Sequence, residues 1–110
     1  MSDIEGPSDN LTGEPVDEAI LIADLMARGL ENPDVKALLE AWTLQQEAIA
    51  EDGGDEVRVA FEIKRASLYS QAGMAEYAEI VWDDAQYLAE ATGNERLIKA
   101  VDDARKTQGY

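Results

Sequence analysis

From Pro15 onward, apolar residues recur at helical spacing along almost the whole chain, and interruptions of that rhythm mark the ends of about five helices. Pro15 opens the first, at a position where the missing N–H costs nothing. Asp17 and Glu18 follow in the first turn, where the positive end of the helix dipole favours them. Val16, Ala19, Ile20, Ala23 and Met26, joined by Ile22 and Leu25, predict a broad apolar face, with Arg28 in the last turn and a left-handed cap at Gly29. Asn32-Pro33 opens the second helix, with a stripe of Val35, Leu38, Leu39, Trp42 and Ile49, and Ala41 and Ala48 beside it. It must end by Asp52-Gly53-Gly54-Asp55, where two glycines remove any reason to continue. The third covers residues 55–72. Val59, Ile63 and Ala66 lie on one face and Phe61, Leu68 and Ala72 on the next, an arc wide enough to be covered on two sides. Val57, Val59 and Phe61 also alternate as in a short strand, but the helical pattern downstream outweighs it. Gly73 ends this helix. The fourth runs from Met74 to Ala91 with Ala75, Ala78, Val81, Trp82, Ala85, Leu88 and Ala89 inward. After a turn at Thr92-Gly93-Asn94, a short fifth helix from Glu95 to Lys106 carries Leu97, Ile98, Ala100, Val101 and Ala104, in the manner of a solvating cap.

The fold class expected is therefore all-α: about five antiparallel helices in a single helical domain over residues 15–106. Residues 1–14, MSDIEGPSDNLTGE, hold too little apolar surface to bury and read as a flexible acidic tail. Residues 107–110 read as a C-terminal tail.

The third and fourth helices resemble a tetratricopeptide (TPR) repeat, a helix–turn–helix unit of about 34 residues. Ala66, Tyr69 and Gly73 stand at that family's small–aromatic–glycine spacing, and Ala78, Trp82 and Ala85 match the positions after it. The physical reason is close approach: Ala66 and Ala78 let two helix backbones come together, while Tyr69 and Trp82 fill the space beside them. The family's first aromatic falls on Glu62, the following leucine on Arg65 and the closing proline on Glu90. One unit matches, about a third of the chain. An ordinary antiparallel bundle whose hairpin converged on the same packing residues remains the alternative. The resemblance implies a protein-binding function through a concave face, which maps to Ala60, Ile63, Ser67, Ser70 and Gln71. The Lys, Arg and Asn set with which some relatives grip a C-terminal carboxylate has no counterpart. Lys64 and Arg65 read as solvated charges on a helix flank.

Charge narrows the function classes. The chain carries 24 acidic against 9 basic residues, a net −15. Binding a nucleic-acid backbone needs clustered cations, and an anionic membrane would repel this protein, so neither direct nucleic acid nor membrane is an expected partner. No apolar run approaches the roughly 20 residues of a membrane span, and the acidic start is the opposite of a signal peptide's. The expected location is the cytoplasm. With no Cys and no His, thiol chemistry, zinc–thiolate sites and the commonest general base are excluded. The neighbouring pairs Asp83-Asp84 and Asp102-Asp103 point about 100° apart on a helix and do not chelate by themselves. The acidic glycine-rich stretch 51–56 lacks the spaced ligands of a calcium loop. No catalytic residues, metal site or cofactor is expected, and the chain does not read as an enzyme.

The function expected is a small acidic protein–protein interaction module, an adaptor, regulator or assembly factor, gripping a partner of basic character through a groove between the first and third helices. A homodimer is a further option. The rival is a nucleic-acid mimic that inhibits a DNA- or RNA-binding protein through a row of carboxylates, with Glu76, Glu79, Asp83, Asp84 and Glu90 as the acidic surface. Trp42 and Trp82 are read as core, and Tyr77 and Tyr87 as half exposed.

Overall fold

The computed structural model describes residues 15–110; the expected tail over residues 1–14 lies outside them. Four helical runs follow one another: α1 (Glu18–Arg28), α2 (Pro33–Gln71), α3 (Ala75–Thr92) and α4 (Glu95–Thr107). No strand occurs among the described residues, Val57–Phe61 included. Where the periodicity predicts about five helices, the second run passes through the expected connector at residues 52–55. It breaks at Gly54 alone, whose φ of 77° and ψ of −164° are open essentially to glycine only. The chain doubles back there. Fifteen residues of unbroken helix would hold Glu47 and Glu62 about 22 Å apart, yet both line one pocket and the negative charge of Glu47 acts on the Glu62 carboxyl. Gly53 is held to glycine as well, because a methyl added there would run into the Val57 side chain.

By its contacts the chain forms two compact units, Met1–Gln46 and Glu47–Tyr110. In the first, α1 begins at Glu18, three residues after the start that Pro15 predicts, because Asp17 caps it, its side chain accepting from the backbone N–H groups of Ala19 and Ile20. Its buried face is narrower than predicted. Leu21 and Leu25 are buried, while Ile20, Met26, Ala19 and Ala23 are exposed. Gly29 has a positive φ but an extended ψ of 165°, so it ends α1 without the left-handed cap. Asn32 opens α2 as expected, its side chain accepting from the N–H groups of Asp34 and Val35. Val35, Leu39, Ala41 and Trp42 are buried in this unit, and the Trp42 indole N–H donates to Glu18 at 3.1 Å.

The second unit is built on α3. Its inward residues Ala78, Val81, Trp82, Ala85 and Ala89 are all buried. Ala75 and Leu88, also predicted inward, are exposed and half-buried. From residues 55–71 come Val59, Phe61, Ala66, Leu68 and Tyr69. The turn between these elements is fixed by Gly73 at φ 78°, which lets the Met74 N–H reach the Tyr69 carbonyl at 2.9 Å. Ala66, Ala78 and Trp82 have no exposed surface, and the Trp82 indole N–H donates to the Ser70 hydroxyl at 3.0 Å. Helix α4 packs on α3 through Leu97 and Val101, capped by the Asn94 side chain. It ends at Thr107. The expected tail beyond it is tied down, with the Gln108 and Tyr110 N–H groups bonded to the carbonyls of Ala104 and Arg105.

Every fully buried side chain among the described residues is hydrophobic, so shape governs the interior apart from the two indole N–H groups, each of which finds an acceptor. Ala78→Leu is expected to force the helices apart and cost about 1–3 kcal/mol. Gly54→Ala is expected to cost a comparable 1–3 kcal/mol, about what a side chain pays in that backbone region. Urea denaturation of both variants checks this. Wild-type midpoints would contradict the close packing and the break respectively.

Candidate functional site

Three surfaces of the second unit carry candidate chemistry. The first is the face of residues 55–71 that the repeat resemblance assigns to a partner. Ala60, Ile63, Ser67, Ser70 and Gln71 fall within one arc of the helix, since three- and four-residue steps return to the same side. Ala60 and Gln71 are exposed; Ile63, Ser67 and Ser70 are half-buried. The Ser70 hydroxyl is already engaged twice, donating to the Ala66 carbonyl at 2.9 Å and accepting from Trp82. Its contribution goes to holding the two helices together. Of the neighbouring cations, Arg65 bonds Glu62 at 3.4 Å and Lys64 is exposed.

The second is the outer side of α3. Glu76, Glu79, Asp83, Asp84 and Glu90 are all exposed, and α3 contains no basic residue. Asp83 pairs with Arg105 of α4 at 3.0 Å yet keeps 71% of its side chain open. Large apolar residues lie among these acids: Tyr77 is 43% exposed, Ile80 59% and Tyr87 76%. Tyr77 also meets Tyr69 edge-on, ring centroids 5.6 Å apart. The half-exposure expected of the two tyrosines holds for Tyr77, and Tyr87 stands further out. Ile80 is the residue the periodicity leaves unassigned. Its signal is its place seven residues before Tyr87, a spacing of nearly two whole turns that sets both on one line outside the buried arc.

The third is an open pocket of about 300 Å³ lined by Glu47, Ala50, Glu51, Arg58, Phe61, Glu62 and Leu88. It lies where the chain doubles back at Gly54. Glu51 and Arg58 lie three residues before and four after that break, and Glu47 and Glu62 seven before and eight after. Burial pushes the Glu62 carboxyl above the ordinary glutamate range; Arg65 pulls it down, and the negative charges of Asp84 and Glu47 push it up further. No group of three or more His, Cys, Asp or Glu among the described residues is arranged to hold a metal ion. No helix among them is long and apolar enough to cross a membrane.

Comparison of the chain with protein-family models, with curated proteins and with solved structures finds no match.

Because Glu62 holds its proton to higher pH when folded than when unfolded, its contribution to stability is present at low pH and lost as pH rises through the raised value. Glu62→Gln is expected to melt higher than wild type at pH 7, with the gain fading below about pH 4. Glu79→Gln, on the open surface, should show a smaller gain. Thermal melts across that range decide it. A Glu62→Gln variant less stable than wild type at pH 7, or a gain independent of pH, would contradict the account.

Proposed function

We propose that this chain is a small acidic protein–protein interaction module of TPR-like build, working in the cytoplasm as an adaptor, regulator or assembly factor. In this reading the two limbs of α2 on either side of Gly54 count as separate helices. The chain then counts five helices, with residues 55–71 and α3 as the repeat-like pair and α4 as its cap. The observation that carries the reading is the complete burial of Ala66 and Ala78, with Trp82 bonded to Ser70 beside them. These are the positions on which the repeat resemblance rests, and they lie where two helices meet. The partner contacts Ala60, Ile63, Ser67 and Gln71, and the net charge of −15 steers a basic protein toward it.

The rival, a nucleic-acid mimic, draws support from the exposure of all five α3 carboxylates. Charge density argues against it. Five carboxylates over the 18 residues of α3 amount to about one per 5 Å of axis, against one per about 1.7 Å in duplex DNA. Ile80 and Tyr87 moreover stand among those charges, which a mimic of phosphates has no use for.

The test is affinity capture from the source cell with wild type and Ala60→Arg/Ser67→Arg, retained proteins being quantified by mass spectrometry at low and high salt. The module reading expects a partner retained by wild type at both salts and lost from the variant. Retention of DNA- or RNA-binding proteins that collapses between about 50 and 200 mM salt, as backbone binding does, would support the mimic instead.

A further inference from the structure

The outer face of α3 has an order that neither the core nor the repeat resemblance requires. Tyr77, Ile80, Asp84, Tyr87 and Ala91 follow one another at alternating three- and four-residue steps, the spacing of a coiled-coil seam. This line lies about 140° round α3 from the buried set Ala78, Val81, Trp82, Ala85 and Ala89, with Tyr77 at its inner edge, edge-on to Tyr69. Tyr77, Ile80 and Tyr87 are the exposed large side chains on it. Directly alongside runs a second line, Glu76, Asp83 and Glu90, each seven residues from the next. It extends about 21 Å at 1.5 Å per residue. In a helix pair this is the flanking row whose charges choose the partner. Every member is acidic and exposed.

We propose that this face docks a cationic amphipathic helix. Aliphatic residues of the partner lie against Tyr77, Ile80, Tyr87 and Ala91, and its Lys or Arg residues stand opposite Glu76, Asp83 and Glu90. Asp84 interrupts the apolar line once, and a single polar residue in such a seam sets the register of the pair, so the partner carries a cation or amide facing it. This surface is separate from the face of residues 55–71 and does not depend on it.

Charge selects the occupant. A second copy of α3 would bring two acidic rows together, at a cost that specific pairs avoid. The chain has few cations to offset that: at least six of its nine, Arg28, Arg65, Arg96, Lys99, Arg105 and Lys106, already sit in internal ion pairs. Residues 1–14 carry four acidic and no basic residues, so they meet the same repulsion.

The experiment titrates the full-length, isotope-labelled chain with an 18-residue peptide bearing Leu at heptad seam positions and Lys beside them. A scrambled peptide of the same composition is the control. Amide shifts are expected within residues 76–91, with affinity for the scrambled peptide lower by about tenfold or more. Ile80→Ser/Tyr87→Ser, which alters only exposed positions, should weaken binding by a similar factor with an unchanged helical circular dichroism spectrum. Glu76→Gln/Glu90→Gln should weaken it and flatten its salt dependence. Equal binding of the scrambled peptide, or no binding at all, would overturn the proposal. So would a doubled mass in sedimentation that Ile80→Ser/Tyr87→Ser abolishes, which would make the occupant a second copy. Shifts confined to residues 60–71 would also overturn it while leaving the interaction-module reading intact.

Discussion

The packing of the second unit depends on two fully buried alanines, Ala66 and Ala78, and on the hydrogen bond by which Trp82 of α3 is held to Ser70. Neither alanine retains any exposed surface, and a side chain larger than a methyl at either point would hold the helices apart. The bulk that fills the neighbouring space comes from Tyr69 and Trp82. An indole buried this way must place its N–H on an acceptor, since an unsatisfied buried donor costs about 1–3 kcal/mol. Ser70 supplies that acceptor while its own proton goes to a carbonyl one turn back. The Trp82–Ser70 bond and the burial of Ala66, Ala78 and Trp82 thus decide which side of α3 is turned inward.

That rotation decides what α3 shows to water. With Ala78, Trp82, Ala85 and Ala89 turned inward, Ile80 and Tyr87 have no route to the core, and the acidic row beside them is left outside with them. The chain's cations do little to neutralise this side. Arg105 reaches Asp83 and Gln86, Arg96 pairs with Glu56, and Lys99 and Lys106 pair along α4 itself. Exposed pairs of this kind are worth little each, but together they occupy the nearest positive charges. The consequence is a helix with one side built for packing and the other combining apolar surface with unbalanced negative charge.

The turn at Gly73 was legible in the residue order because its determinant is local: a glycine between two helical patterns takes the positive φ that ends the first. The break at Gly54 was legible as a boundary for the same reason. Periodicity could not show that helical conformation resumes on both sides of a single residue. The buried face of α1 was misjudged. Nearly every position of an eleven-residue helix rich in Ala, Ile, Leu and Met looks apolar, so spacing alone does not separate Leu21 and Leu25 from Ile20 and Met26. The candidate surfaces fared similarly. Ala60, Ile63, Ser67 and Gln71 share a face as their spacing requires, whereas the engagement of Ser70 by Trp82 depends on a neighbour twelve residues away. Ile80 was left unassigned because its type predicts burial; its seven-residue offset from Tyr87 is the sequence signal, and the inward turn of Ala78 and Trp82 places both outside.

Amide hydrogen exchange on the intact chain, read together with the Trp82 indole proton, tests that orientation most directly. Close packing at Ala66 and Ala78 predicts the slowest exchange in the second unit at residues 66–72 and 78–85, and an indole proton protected to the same degree. Fast exchange of that indole proton, with the slowest amides lying in α4 or elsewhere, would contradict it.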